Sequence, residues 1–110
     1  MDINEQVLNL SEQKDRFIRT IDDLKAAQAL HRADNARLRR MYNSLSDSDI
    51  TYRDYENKTD LKLSGTLHAI ILDNDTKMDV IQKNIDVLNA EIRKYTKAID
   101  TLKALTNKAA

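Results

Sequence analysis

The chain has 110 residues, of which 41% are hydrophobic and 33% charged, and its formal net charge is zero. One glycine and no proline, tryptophan or cysteine exclude a turn-rich sheet fold, a disulfide framework, thiol chemistry and a cysteine-based zinc site. The even charge balance also excludes a strong overall attraction to nucleic acid, which selects for a basic excess on one face.

The first predicted element is a helix over about residues 4–45. Its repeat positions, spaced three and four apart, are Ile3, Val7, Leu10, Lys14, Phe17, Ile21, Leu24, Gln28, His31, Asn35, Leu38, Tyr42 and Leu45. Up to Leu24 the stripe is well filled, and Ile18 widens it. Beyond Leu24 the repeat turns polar, and the better apolar side chains move sideways to Ala27, Leu30, Ala33 and Met41. Alanines at 26, 27, 29, 33 and 36 favour helix and close approach but bury little area. This stretch, with Leu30, Ala33 and Met41, is therefore expected to meet a second surface, that of a partner, as well as the second helix. Arg32, Arg37, Arg39 and Arg40 read as a solvated helix face beside an acidic connector.

That connector, residues 46–61, carries two basic and five acidic side chains. It is long for a helix–helix link, where about two to eight residues are usual. Ser46, Asp47, Ser48 and Asp49 compete with helical hydrogen bonds and form a stop signal. Ile50-Thr51-Tyr52 has β-type composition, which leaves a short strand or hairpin and a helical extension both open. Thr59, Asp60 and Ser64 are the candidate caps for the second helix.

The second helix is predicted over about residues 62–107. Leu67, Ile71, Asn74, Met78, Ile81, Ile85, Leu88, Ile92, Tyr95, Ile99, Leu102 and Thr106 form an unbroken heptad repeat. So narrow and long a stripe needs another helix to cover it. Asn74, polar within an Ile/Leu/Met seam, is the candidate register-setting residue. Tyr95 can pack its ring and keep its hydroxyl at a rim, which suits an interface as well as a core. Gly65 at the mouth of this helix reflects a tight turn, a close backbone approach, or no special role. At about 1.5 Å per residue the two helices match in length, roughly 60–65 Å each. The expected fold is all-α: one domain of two long helices in an antiparallel, coiled-coil-like hairpin.

No constellation points to catalysis. His31 and His68 stand one per helix without further ligands at metal spacing. Asp73, Asp75 and Asp79 lack the glycine and terminal glutamate of a calcium loop, and there is no glycine-rich phosphate loop. The chain is expected to be a non-enzyme without cofactor that binds protein by helix–helix packing, in a homo- or hetero-oligomer. No binding to nucleic acid is expected. No run approaches the length of a membrane span, the longest being Ala69-Ile70-Ile71-Leu72, and residues 1–5 do not open a signal peptide. The expected location is the cytoplasm, or export with a partner without a cleaved signal.

Leu63-Ser64-Gly65, just ahead of the second heptad stripe, resembles the LxG form of the turn in WXG100-like proteins of type VII secretion, among them the small partners of LXG-domain toxins. That resemblance spans the whole two-helix architecture but rests on these three residues. It implies a partner of a toxin's helical N-terminal region, with Leu63 and Gly65 at the interface. Tyr95 is followed four residues later by Ile99, not by the acidic residue of the export motif, so an accessory role is implied and not an autonomous secretion signal. The chain is also similar to β-type prefoldin, a chaperone subunit of two antiparallel helices joined by a β hairpin, with Ile50-Thr51-Tyr52 where the first strand would lie. Nine residues separate Tyr55 from Gly65, more than that family's usual spacing. A third resemblance is to the coiled-coil finger of RNA-polymerase secondary-channel factors, whose acidic tip Asp47, Asp49, Asp54 and Glu56 would imitate; the accompanying second domain is absent from this sequence. A phage or viral coiled-coil structural protein, or a host-factor inhibitor, fits the same pattern.

Overall fold

The computed structural model describes residues 2–45 and 49–109. Four elements follow one another: helix α1 (Ile3–Ser44), strands β1 (Thr51–Asp54) and β2 (Thr59–Lys62), and helix α2 (Leu63–Ala109). The two helices form an antiparallel hairpin, as the paired heptad stripes predict. Asp2 starts α1: its Oδ1 accepts from the Glu5 N–H at 2.8 Å and its carbonyl from the Gln6 N–H at 3.1 Å. These bonds satisfy donors that the first helical turn leaves free. Of the expected stop signal, Ser46, Asp47 and Ser48 lie outside the described residues.

The connector forms a β hairpin and does not extend α1. β1 and β2 pair antiparallel, with Thr51 opposite Lys62, Tyr52 opposite Leu61, Arg53 opposite Asp60 and Asp54 opposite Thr59. The loop Tyr55–Lys58 closes with Lys58 in the left-handed region at φ 54°, a common end for a four-residue hairpin loop. Asp54 stabilises the turn by accepting from the N–H groups of Glu56 (3.1 Å) and Asn57 (3.2 Å) and from the Asn57 side chain (2.9 Å). The ladder continues past the strands, where the Leu63 N–H donates to the Ile50 carbonyl at 2.7 Å.

That extra rung brings Asp49 beside the start of α2. Its carboxylate accepts from the Ser64 N–H at 3.1 Å and from the Ser64 hydroxyl. The cap of α2 is thus supplied by Asp49 from the far side of the hairpin. Ser64 takes part as a donor, and Thr59 and Asp60 belong to β2.

The chain divides into two compact units. In the unit of residues 27–80, Leu38, Leu67 and Ile71 are buried, with Leu45 and Leu63 packed against them. Beside this cluster lies a polar layer. Asn35 is 1% and Asn74 5% exposed, and the Asn74 Nδ2 donates to the Asn35 Oδ1 at 2.8 Å. The Asn35 Nδ2 donates to the Asp75 Oδ1 at 2.9 Å and to the Ile71 carbonyl at 3.3 Å. Gln28 Nε2 donates to the Met78 carbonyl at 3.2 Å. In the unit of residues 1–26 and 81–110, Ile21, Ile85 and Ile99 are buried. The rings of Phe17 and Tyr95 meet edge to face, with centroids 5.4 Å apart.

The seam of α1 does not move sideways beyond Leu24. Gln28, His31, Asn35 and Leu38 remain at least half-buried, as does Ala27 of the sideways set, whereas Leu30, Ala33 and Met41 are exposed; further on, the repeat position Tyr42 is exposed too. The reason is the polar layer: hydrogen bonds to α2 satisfy the amides, so the heptad register continues through them.

Candidate partner-binding surfaces

Leu30, Ala33 and Met41 lie on the outer side of α1, in the unit of residues 27–80. Leu30 is 73% and Met41 44% exposed. Their spacing of three and eight residues keeps them on one side of the helix. Leu30 and Ala33 border a shallow depression with His31, Asp34, Arg37 and Arg40. Arg37 is paired with Asp34 at 2.5 Å, and Arg39 reaches Asp75 at 3.6 Å. The surface therefore combines apolar side chains with cationic ones, some neutralised by a neighbouring carboxylate.

Leu63 and Gly65 have different surroundings. Leu63-Ser64-Gly65 is the first turn of α2, where a turn ahead of that helix was expected. Leu63 turns inward onto the Leu38–Leu67–Ile71 cluster. Gly65 is exposed, has an ordinary negative φ, and a Cβ added there would meet nothing within 4 Å. Neither a tight turn nor a close approach within the chain requires this glycine. It borders a shallow groove between one face of the hairpin and α2, together with Tyr52, Leu61, Thr66, Ala69 and Ile70. The hydroxyls of Tyr52 and Thr66 are hydrogen-bonded across it.

Tyr95 is half-buried against Phe17 and belongs to the seam. Asn74 occupies the buried seam position expected of it; its partner Asn35 was not foreseen as such. Both stand on repeat positions nearly equidistant from the middle of the connector, and that symmetry is the signal by which the pair is found.

The acidic connector is partly committed to structure. Asp49 is held below the ordinary aspartate range by the Ser64 hydroxyl first and the Ser64 N–H second. Asp54 is lowered chiefly by the Asn57 side-chain amide, then by the Asn57 N–H. Asp47 lies outside the described residues. Of the acidic tip, Glu56 remains exposed with no carboxylate bond of its own described.

Among the described residues, no group of three or more His, Cys, Asp or Glu side chains is arranged to hold a metal ion, and no helix is long and apolar enough to cross a membrane. No family model, curated protein or solved structure matches the chain.

Proposed function

We propose that this chain is a non-enzymatic adaptor that binds a helical segment of another protein along the outer face of α1. The observation that carries this reading is the placement of Leu30, Ala33 and Met41. The polar layer keeps the seam in register, and so leaves these side chains on the surface, at helical spacing, uncovered among the described residues. An amphipathic helix laid along this stripe buries them and meets Arg37 and Arg40 at the rim. Such a partner adds stability by mass action, because it binds only the folded hairpin.

The partner class expected from Leu63-Ser64-Gly65 is the helical N-terminal region of a type VII secreted toxin. One feature supports it: Gly65 has no role within its own chain, so the bare backbone there suits the approach of another molecule. A second reading, a chaperone subunit resembling β-type prefoldin, is supported by the connector, which is a β hairpin set between two antiparallel helices.

Affinity capture of the tagged chain from its native cells, followed by mass spectrometry, tests these readings. One large protein with a helical N-terminal region and an unrelated C-terminal domain is the result expected of a secretion adaptor. Nascent or unfolded chains, together with other small helical hairpins, would favour the chaperone. The Leu30→Asp, Met41→Asp double variant is expected to lose the captured partner with its helicity unchanged. Undiminished capture by that variant would remove the α1 face from the reading.

A further inference from the structure

The β hairpin has two strands only, and each leaves an outer edge of backbone donors and acceptors unpaired. α2 supports the ribbon on one face, through the Tyr52–Thr66 bond, and leaves the strand edges open. All four residues of β2 are exposed. We propose that β2 pairs with β2 of a second copy of this chain, which makes a four-stranded antiparallel sheet about a two-fold axis at Leu61.

The register follows from backbone parity. The Leu63 N–H points at Ile50, across the hairpin. Orientation alternates along a strand, so Leu61 and Thr59 also point inward, while the N–H and C=O of Asp60 and the N–H of Lys62 point to the free edge; the Lys62 C=O opens the hydrogen bonding of α2. A symmetric antiparallel pairing must join outward groups to outward groups. Three registers satisfy this, centred on residue 60, 61 or 62. The first sets Asp60 against its own copy and the third sets Lys62 against its own copy, and each opposes like charges. Only the register centred on Leu61 places Asp60 opposite Lys62 of the second copy, twice over, with the Lys62 N–H donating to the facing Asp60 C=O in each pair.

Side chains agree with that register on both faces. On one, Arg53 already pairs with Asp60 at 3.3 Å. The new neighbour extends this to a row of Arg53, Asp60 and the second copy's lysine, alternating in sign. On the other face, Tyr52 and Leu61 are cross-strand neighbours. The two-fold axis doubles them into an apolar row of four side chains. The edge of β1 is less suited to itself: its outward residues are Thr51 and Arg53, which offer no opposite charges to exchange. The pairing uses the sheet edge and is independent of the α1 face proposed above.

The chain contains no cysteine, so a single introduced thiol reports position without background. At the Leu61 centre the two copies form a non-hydrogen-bonded pair with Cα atoms about 4.5 Å apart, within disulfide range. Leu61→Cys is expected to give a covalent dimer under mild oxidation at least tenfold faster than Thr59→Cys or Asp54→Cys. In sedimentation at several hundred micromolar, the parent chain is expected to show twice the monomer mass. Lys62→Asp is expected to return it to monomer, with helicity by circular dichroism as the check on folding. Asp60→Lys and Lys62→Asp combined with Arg53→Asp, which inverts every charge of the row, is expected to restore the dimer. The Leu30→Asp, Met41→Asp variant is expected to dimerise as the parent does, so failure of the adaptor reading and failure of this one are separable. A parent that stays monomeric, cross-linking at Leu61→Cys no faster than at the two controls, or a dimer indifferent to Lys62→Asp would each overturn the proposal.

Discussion

Asn74 donates to Asn35 across the seam at 2.8 Å, and this bond joins the two most deeply buried polar side chains among the described residues. Replacing one asparagine strands the other. Asn74→Leu leaves the Asn35 Oδ1 without its donor in a buried place, which costs about 1–3 kcal/mol. Replacing both with leucine removes the polar atoms together, and the double variant is expected to be within about 1 kcal/mol of the parent or more stable. Urea denaturation of the two single variants and the double variant tests this. A double variant that loses as much as the two singles combined would remove the pairing argument.

Ile85 is the most buried apolar side chain of the unit of residues 1–26 and 81–110, at 2% exposed. Ile85→Ala is expected to cost about 2–4 kcal/mol through lost burial and the cavity left behind. Ile85→Asp, which buries a charge without a partner, is expected to abolish the sharp thermal transition. Circular dichroism melting measures both, and full helicity with a sharp transition in Ile85→Asp would place the seam elsewhere.

Two ionised carboxylates support the hairpin. Asp49 and Asp54 both have lowered pKa values because their carboxylates accept hydrogen bonds, from Ser64 and Asn57 respectively. A depressed folded value means that the stabilisation is complete above the unfolded value, about 3.9, and is lost as pH falls through the folded one. The hairpin amides are therefore expected to keep their exchange protection from pH 7 to about pH 5 and to lose it below about pH 4. Asp49→Asn is expected to blunt that transition at the start of α2. Protection that declines between pH 7 and 5 would point to another group.

Lys58 holds a left-handed backbone, with φ 54°. A side chain there costs energy that glycine avoids, although glycine gives up some entropy on folding. Lys58→Gly is expected to raise the stability of the hairpin by about 0.5 kcal/mol. Amide exchange at Leu61 measures it, and faster exchange in the variant would contradict the turn geometry.

The helices were legible because their signal is a period, repeated from Leu67 to Thr106 and echoed in α1. The hairpin was not decided by its sequence. Ile50-Thr51-Tyr52 favours a strand, but its partner Thr59-Asp60-Leu61-Lys62 has weak β preference, and pairing across the loop settles the matter. The Asp49 cap depends on that pairing, since only the closed ladder brings residue 49 to residue 64. Leu30 and Met41 were expected to meet α2 as well as a partner, and they lie outside the seam. A drifting seam was expected, whereas the seam holds its course through satisfied amides and leaves the apolar stripe outside.

The hairpin ladder also decides where this chain will accept foreign sequence. Asp54 and Thr59 are held face to face by the strands, so a peptide tag or a small domain spliced between Tyr55 and Lys58 begins and ends at neighbouring points and leaves the helices undisturbed. The same graft between residues 50 and 51 would separate Asp49 from the ladder that carries it to Ser64, and the first turn of α2 would fray. Two splice points a few residues apart thus differ in kind, one a neutral port and the other a cut through the latch of the second helix.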